Sequence, residues 1–116
     1  MLFLQYPPCT TCKKAKAWLD AQGVVYEDRH IKEQNPSYEE LLLWYRRSGL
    51  PLKKFFNTSG LLYKSMELKD KLPRMTEEAQ LRLLASDGML VKRPLVVTEQ
   101  AVLVGFKEAE WSRALL

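Results

Sequence analysis

The chain has 116 residues, of which 47% are hydrophobic and 28% are charged, so it is long enough to fold as one domain, residues 1–116, with a buried core. Its 18 basic and 14 acidic residues give a net charge of +4, without a block of like charge that would indicate a nucleic-acid-binding arm. No signal peptide and no apolar run of about 18 residues is present, so we expect a cytoplasmic protein that contacts neither membranes nor nucleic acid directly.

The first third of the chain predicts a strand, a helix and a second strand. Residues 2–6 form a short apolar run that ends at Pro7-Pro8, which cannot continue a hydrogen-bonded ladder. A helix then begins at about Thr10, and Gly23 supplies its C-terminal stop. Residues 24–29 read as the second strand, so the chain opens with a unit that is typical of a parallel sheet.

Residues 36–87 predict a mostly helical insert. Ser37 and Glu40 have the spacing of a capping box at the start of one helix. Thr76 begins another helix, which Asp87-Gly88 closes, and short helices lie between the two.

The last quarter of the chain predicts an antiparallel hairpin followed by a helix. Residues 95–97 and 102–104 are its strands, and residues 107–115 form the helix. Pro94 stands immediately before the first strand. Because proline cannot donate to a central ladder, it marks an edge or a turn, where a cis peptide bond is also found.

The two cysteines of the protein, Cys9 and Cys12, lie at the predicted start of the first helix. The unpaired amides and the dipole at a helix N-terminus favour a thiolate at Cys9. The spacing i, i+3 places both sulfur atoms on one face, where they can close a disulfide ring. Lys13 and Lys14 oppose the helix dipole and favour an anion nearby. Cys9 is therefore the expected nucleophile and Cys12 the resolving thiol.

Two other interpretations of the cysteines remain open at this point. They could be buried, unreactive thiols of the core. They could also bind zinc, but one C-x-x-C supplies two ligands where four are usual, and His30 lacks a finger-like spacing. We expect no metal site.

A strand that ends at C-x-x-C, a second parallel strand and a later proline before a hairpin together resemble the thioredoxin fold. The resemblance implies an α/β fold with a four-stranded mixed sheet, made of the parallel unit and the C-terminal hairpin. It also implies that the peptide bond of Pro94 is cis and that Arg93 faces Cys9.

A more specific resemblance rests on three segments, 48–57, 90–97 and 104–106. They resemble the glutaredoxin-dependent arsenate reductase family, and the resemblance extends over roughly residues 1–111. That family also contains the Spx-type regulators. Its arsenate reductases have three arginines that hold the oxyanion, and only Arg93 matches. Asn57 and Phe106 stand at the other two positions, while Cys12 gives a C-x-x-C similar to that of Spx.

The resemblance therefore implies three alternative functions. The favoured one is a thiol-disulfide oxidoreductase acting on a small thiol or a protein disulfide, with Cys9, Cys12 and Arg93 catalytic. The alternatives are an arsenate reductase and an Spx-type redox sensor that binds the RNA polymerase α-subunit. No cofactor is expected, since an external thiol reductant such as glutathione, glutaredoxin or thioredoxin would reset the site. The residues expected to position the substrate are Thr10, Thr11, Lys13 and Pro94.

Overall fold

A four-stranded mixed sheet forms the centre of the computed structural model, which describes residues 1–116. Its strands are β1 (Leu2–Gln5), β2 (Glu27–His30), β3 (Leu95–Val97) and β4 (Val102–Val104), in the order β2-β1-β3-β4. Strand β1 is parallel to β2 and antiparallel to β3, and β3 and β4 form the C-terminal hairpin. The predicted thioredoxin-like α/β fold is confirmed.

Six α-helices surround the sheet: α1 (Thr10–Ala21), α2 (Tyr38–Ser48), α3 (Leu61–Ser65), α4 (Leu68–Lys71), α5 (Glu77–Ser86) and α6 (Glu108–Leu115). Three 3-10 turns lie at Leu52–Phe55, Leu72–Arg74 and Gly88–Leu90, and the last of them connects α5 to β3. Helices α2 to α5 all lie between β2 and β3, as the predicted insert requires. None of the six helices has the length and the apolar character needed to cross a membrane.

The sheet separates two hydrophobic clusters because alternate side chains of a strand point to opposite faces. On one face, Phe3 and Val96 pack against α1 and against Trp111 of α6. On the other face, Leu4 and Leu95 pack against the helices of the insert. The sheet therefore lies between two helical layers, and α1 is fixed on the face opposite the insert.

Two sequence-based predictions of strand position need correction. Strand β2 begins at Glu27 and not at Val24, because the Val24 amide donates to Leu19 O (3.1 Å) and completes the C-terminal cap of α1. Val25 is 89% exposed, so its apolar character does not reflect burial in a strand. The edge position considered for Pro94 is also wrong, since Pro94 precedes the interior strand β3. The peptide bond between Arg93 and Pro94 is cis, as predicted.

The insert is connected to the segment before β3 by a short stretch of sheet-like pairing. Phe56 and Val91 form an isolated antiparallel bridge. The Lys92 amide donates to Phe55 O, and the Asn57 amide donates to Leu90 O, both at 2.8 Å. This pairing sets the turn at 52–55 beside Lys92 and Arg93, and it thereby forms one side of the candidate site.

Candidate active site

Strand β1 delivers Cys9 to the N-terminus of α1 through a tight turn. The Cys9 amide donates to Tyr6 O (2.9 Å), which closes the chain around Pro7 and Pro8. Cys9 has extended backbone angles and caps the helix, and its Sγ accepts a hydrogen bond from the Cys12 amide at 3.4 Å. The sulfur atom therefore occupies the place that a serine or aspartate oxygen takes in an ordinary helix cap.

The surroundings of Cys9 favour its thiolate. Partial burial acts to raise the pKa of Cys9, but hydrogen bonding from Cys12 and the positive charge of Arg93 together outweigh it. The pKa of Cys9 consequently lies below its ordinary value. Because Cys9 is also partly exposed, a thiolate at this position can meet a substrate from solution.

Cys12 lies one helical turn further on, in the opposite environment. Its side chain is 0% exposed, and both cysteines are free thiols in this structure. Burial raises the pKa of Cys12 to about 12, and the adjacent Cys9 adds to the increase. The two thiols therefore differ in both access and acidity.

Arg93 reaches the cysteines from the segment before β3. Its guanidinium donates to Met89 O at 3.3 Å and lies 5.2 Å from the ring centroid of Tyr6. Tyr6 is the residue whose carbonyl closes the turn at Cys9, so Arg93 contacts that turn directly. This placement explains how a charge so distant in sequence lowers the pKa of Cys9.

A cleft of about 790 Å³ opens beside this cysteine turn. Its walls come from Thr11 of α1, the turn at 52–55, the segment before β3, and β4 with the residues that follow it. Five cationic side chains line it, and the single acidic one is Glu110. The cations are Lys53, Lys54, Lys92, Arg93 and Lys107.

The predicted site residues fall into two groups. Thr11 and Arg93 line the cleft, and Pro94 is buried behind it, where its carbonyl accepts from the Gly105 amide at 2.8 Å. Thr10 and Lys13 are exposed on the first turn of α1 and do not line the cleft. They lie close to Cys9 in the chain but on solvent-facing positions.

Sequence reasoning missed Tyr6 and Lys92. Tyr6 carries both the carbonyl that closes the cysteine turn and the ring beneath Arg93. The Lys92 side chain runs over Gly105, where an added Cβ would lie 3.3 Å from Lys92 Cε. The sequence positions of both residues could have indicated them, since Tyr6 directly precedes the prolines of the turn and Lys92 directly precedes Arg93.

Asn57 and Phe106, which replace two expected arginines, have other contacts. The Asn57 carboxamide accepts from Ser59 Oγ at 3.4 Å within a turn. The Phe106 ring packs edge-on against Trp111, with ring centroids 4.8 Å apart, and more loosely against Trp18. Neither position presents a positive charge to an anion.

The ArsC family model matches residues 4–114, which is nearly the whole chain. The chain belongs to the ArsC family. The uncharacterised protein YusI of Bacillus subtilis is 55% identical over 111 residues, which cover 96% of this chain and 94% of YusI. The structure of a possible arsenate reductase from Streptococcus mutans is 43% identical, with a TM-score of 0.90 and coverage of 98% of this chain and 97% of that one.

Regulators are also among the ArsC-family relatives. The regulatory protein MgsR of Bacillus subtilis is 28% identical over 110 residues, which cover 95% of this chain and 86% of MgsR.

No group of three or more His, Cys, Asp or Glu side chains in the structure could hold a metal ion. The candidate site of this ArsC-family chain thus contains a cysteine pair, one arginine and a basic cleft.

Proposed function

We propose that this chain is a single-domain thiol-disulfide oxidoreductase of the ArsC family. The Cys9 thiolate attacks one sulfur of a substrate disulfide, forms a mixed disulfide and expels the other sulfur as a thiolate. Cys12 then gives its proton to a departing substrate sulfur and attacks Cys9 Sγ. The substrate leaves as one thiol and one thiolate, which takes its proton from water. It is thereby reduced by two electrons, and Cys9 and Cys12 are left as a disulfide.

The difference between the two thiols is the observation that carries this proposal. An accessible thiolate at Cys9 supports the first attack, whereas the buried Cys12 retains its proton until a substrate sulfur lies within reach. Formation of the mixed disulfide removes the negative charge on Cys9. Since Cys9 contributes to the raised pKa of Cys12, this step makes the second thiol more acidic when it is needed.

Arsenate reduction is less well supported than disulfide exchange. Of the three arginine positions, only Arg93 carries a charge, and Asn57 and Phe106 are engaged in neutral contacts. Lysines beside the cleft offer point charges without the planar, two-pronged grip of a guanidinium. Each lost charge-assisted contact is worth about 1.5–3 kcal/mol, so oxyanion affinity would fall by orders of magnitude.

The oxidised enzyme must be reset by an external thiol. Glutathione, glutaredoxin and thioredoxin are the candidate reductants, and each would reduce the disulfide by the same exchange chemistry in reverse. A cytoplasmic location, where such reductants keep thiols reduced, belongs to this proposal. Thr10, Thr11, Lys13 and Pro94 are proposed to position the substrate around Cys9.

A redox-sensing regulator is the second candidate, because the match to MgsR spans most of both chains. In that function the disulfide between Cys9 and Cys12 would change binding to the RNA polymerase α-subunit. A pull-down with the C-terminal domain of that subunit, with reduced and with oxidised protein, tests it. Absence of binding in both states would remove this candidate.

Mass spectrometry after mixing with 2-hydroxyethyl disulfide tests the oxidoreductase function. Wild-type protein should end with an internal disulfide, and Cys12→Ser should stop at a mixed disulfide on Cys9. Cys9→Ser should remain unmodified. A stable adduct on wild-type protein would contradict Cys12 as the resolving thiol, and robust thiol-coupled arsenate turnover would instead favour the arsenate reductase.

A further inference from the structure

We infer that the basic cleft binds an acidic, extended polypeptide segment that carries the oxidised cysteine, held as an added strand along the open edge of β4. This inference rests on the oxidoreductase function proposed above and names its substrate class. It draws on two independent features of the cleft, its charge and its exposed sheet edge.

The charge of the cleft is largely uncompensated. Lys107 pairs with Glu110 at 3.9 Å, which neutralises the single acidic residue of the lining. The other three ion pairs of this protein lie outside the cleft, so Lys53, Lys54 and Lys92 have no carboxylate partner. Several unpaired cations in one cleft favour a ligand with more than one carboxylate.

Strand β4 presents unpaired backbone groups to the same cleft. Thr98 N donates to Ala101 O, and Gly105 N donates to Pro94 O, so the hydrogen-bonded pairs of the hairpin include Leu103. In an antiparallel ladder the intervening residues turn their amides and carbonyls away from the partner strand. Those residues are Val102 and Val104, and β4 is the last strand of the sheet.

The edge of β4 and the lysines lie within reach of the same extended chain. Val102, Leu103 and Val104 form one wall of the cleft, and the turn carrying Lys53 and Lys54 forms another. An added strand rises about 3.3 Å per residue and turns every second side chain to the same side. Acidic side chains in alternation would therefore face the lysines while the backbone pairs with β4.

The cleft also adjoins the reactive sulfur. Thr11, two residues after Cys9, lines it together with Arg93. A segment bound along β4 would bring its disulfide to the N-terminus of α1. Because backbone pairing requires several consecutive peptide groups, a polypeptide matches this surface better than a small acidic thiol, which would use only the cations.

Matched peptide disulfides test the inference. Each peptide carries one cysteine joined to 2-nitro-5-thiobenzoate, with flanking glutamates in one version and glutamines in the other. The rate of chromophore release by Cys12→Ser is measured, since this variant stops at the mixed disulfide. We expect the acidic peptide to react about tenfold faster than the neutral one, with the advantage lost at high salt.

Two triple variants distinguish an effect of the cleft lysines from an effect of the net charge of the protein. The first variant combines Lys53→Gln, Lys54→Gln and Lys92→Gln in the Cys12→Ser background. It should reduce the rate advantage of the acidic peptide over the neutral one to about twofold or less. The matched control is Lys32→Gln, Lys69→Gln and Lys71→Gln, which removes the same charge from exposed residues outside the cleft. It should retain the preference. An equal loss in both variants would overturn the cleft assignment.

Three further experiments distinguish between possible ligands of the cleft. N-methylation of alternate residues of the acidic peptide should slow the reaction in one of the two registers, and no effect in either register would contradict strand addition. Glutathione disulfide should show a smaller dependence on the three lysines than the acidic peptide, and an equal dependence would indicate a small thiol instead. Anisotropy of a labelled acidic peptide on Cys9→Ser measures binding without reaction.

The outcomes also distinguish the two proposals. If 2-hydroxyethyl disulfide is reduced but acidic and neutral peptides react alike, the cleft assignment fails and the oxidoreductase function stands. If the acidic peptide binds Cys9→Ser with a preference over the neutral one but no disulfide reacts with wild-type protein, the oxidoreductase function fails and the acidic-peptide cleft stands.

Discussion

The Cys12 amide donates a hydrogen bond to Cys9 Sγ at 3.4 Å. One helical turn thus stabilises the thiolate of Cys9 with a backbone donor while it buries the thiol of Cys12. A backbone amide is fixed by the helix and cannot be removed by side-chain substitution. The side chains whose substitution can change the pKa of Cys9 are therefore those of Cys12 and Arg93.

Arg93→Met should raise the pKa of Cys9, because it removes a positive charge that favours the thiolate. The pH dependence of iodoacetamide alkylation, followed by peptide mapping of Cys9, measures this pKa. In wild-type protein the midpoint should lie below the free-thiol value of about 8.5. Arg74→Met, at an exposed arginine outside the cleft, is the control and should leave the midpoint unchanged.

A wild-type midpoint at or above the free-thiol value would rule out Cys9 as the activated nucleophile. If Arg93→Met leaves the midpoint unchanged, the lowered pKa arises from the hydrogen bonds with Cys12 and not from Arg93. The two results therefore separate the contribution of Arg93 from that of Cys12.

The buried thiol of Cys12 should make stability fall at alkaline pH. The pKa of Cys12 is about 12 in the folded protein and about 8.5 in the unfolded chain. The neutral thiol therefore contributes fully below pH 8.5, and its contribution is lost as the pH rises toward 12. Relative to Cys12→Ser, the wild type should lose about 1–2 kcal/mol of unfolding free energy between pH 8 and 10.

Urea unfolding in a phosphine reductant measures this difference. Cys9→Ser is the opposite control, because the lowered pKa of Cys9 means that its thiolate contributes stability that is lost as the pH falls through that pKa. The free energy of unfolding of the wild type should therefore increase relative to that of Cys9→Ser as the pH rises toward 8.5. Parallel stability curves for the wild type and Cys12→Ser would contradict the assignment of Cys12 as a buried neutral thiol.

Local chemical signals explain why most elements could be predicted from the sequence. The prolines after β1 stop a ladder, and Ser37 and Glu40 form the predicted capping box, with both hydrogen bonds present. The start of β2 was missed because Val24 and Val25 have strand-like side chains. The amide of Val24 is used by the cap of α1, and this pairing depends on where the helix ends.

The candidate site was only partly predictable, since its parts come from distant segments. The reactivity of Cys9 follows from a local feature, the helix N-terminus. The partnership with Arg93 came from a family resemblance, because nothing near Arg93 in sequence points to a cysteine. The basic cleft depends on the bridge between Phe56 and Val91, which brings Lys53 and Lys54 close to Lys92, and no local pattern encodes that pairing.

The ion pair between Arg29 and Glu40 should stabilise the connection between β2 and α2. The guanidinium donates to both carboxylate oxygens, at 2.7 and 2.9 Å. Glu40→Gln preserves the capping box but removes the charge, so it should cost about 0.5–1 kcal/mol at pH 7. Glu39→Gln, an exposed neighbour on the same turn, should cost little. Denaturant unfolding compares the two variants.

The cost of Glu40→Gln should depend on pH in a defined direction. The hydrogen bonds from Arg29 lower the pKa of Glu40 below its ordinary value. The carboxylate therefore contributes fully above about pH 4.3, and the contribution is lost as the pH falls through the lower folded pKa. A cost that persists unchanged under acidic conditions would show that packing, and not charge, is responsible.

Gly88→Ala should destabilise the protein far more than Gly49→Ala. A Cβ at Gly88 would lie 1.9 Å from Ile31 O, a backbone atom at the end of β2 that cannot rotate away. Overpacking of this kind costs typically 1–3 kcal/mol, and we expect about 3 kcal/mol here. Gly49 has a φ of +68° but open space around it, so only its backbone strain of about 1 kcal/mol applies.

The effect of Gly88→Ala should also reach the sulfur site. Gly88 begins the 3-10 turn that contains Met89, whose carbonyl accepts from Arg93. Displacement of this turn should move the guanidinium and raise the alkylation midpoint of Cys9 in protein that is still folded, whereas Gly49→Ala should not. Denaturant unfolding together with the alkylation profile measures both effects. Equal destabilisation by the two variants, with unchanged midpoints, would contradict the close packing of this turn on β2.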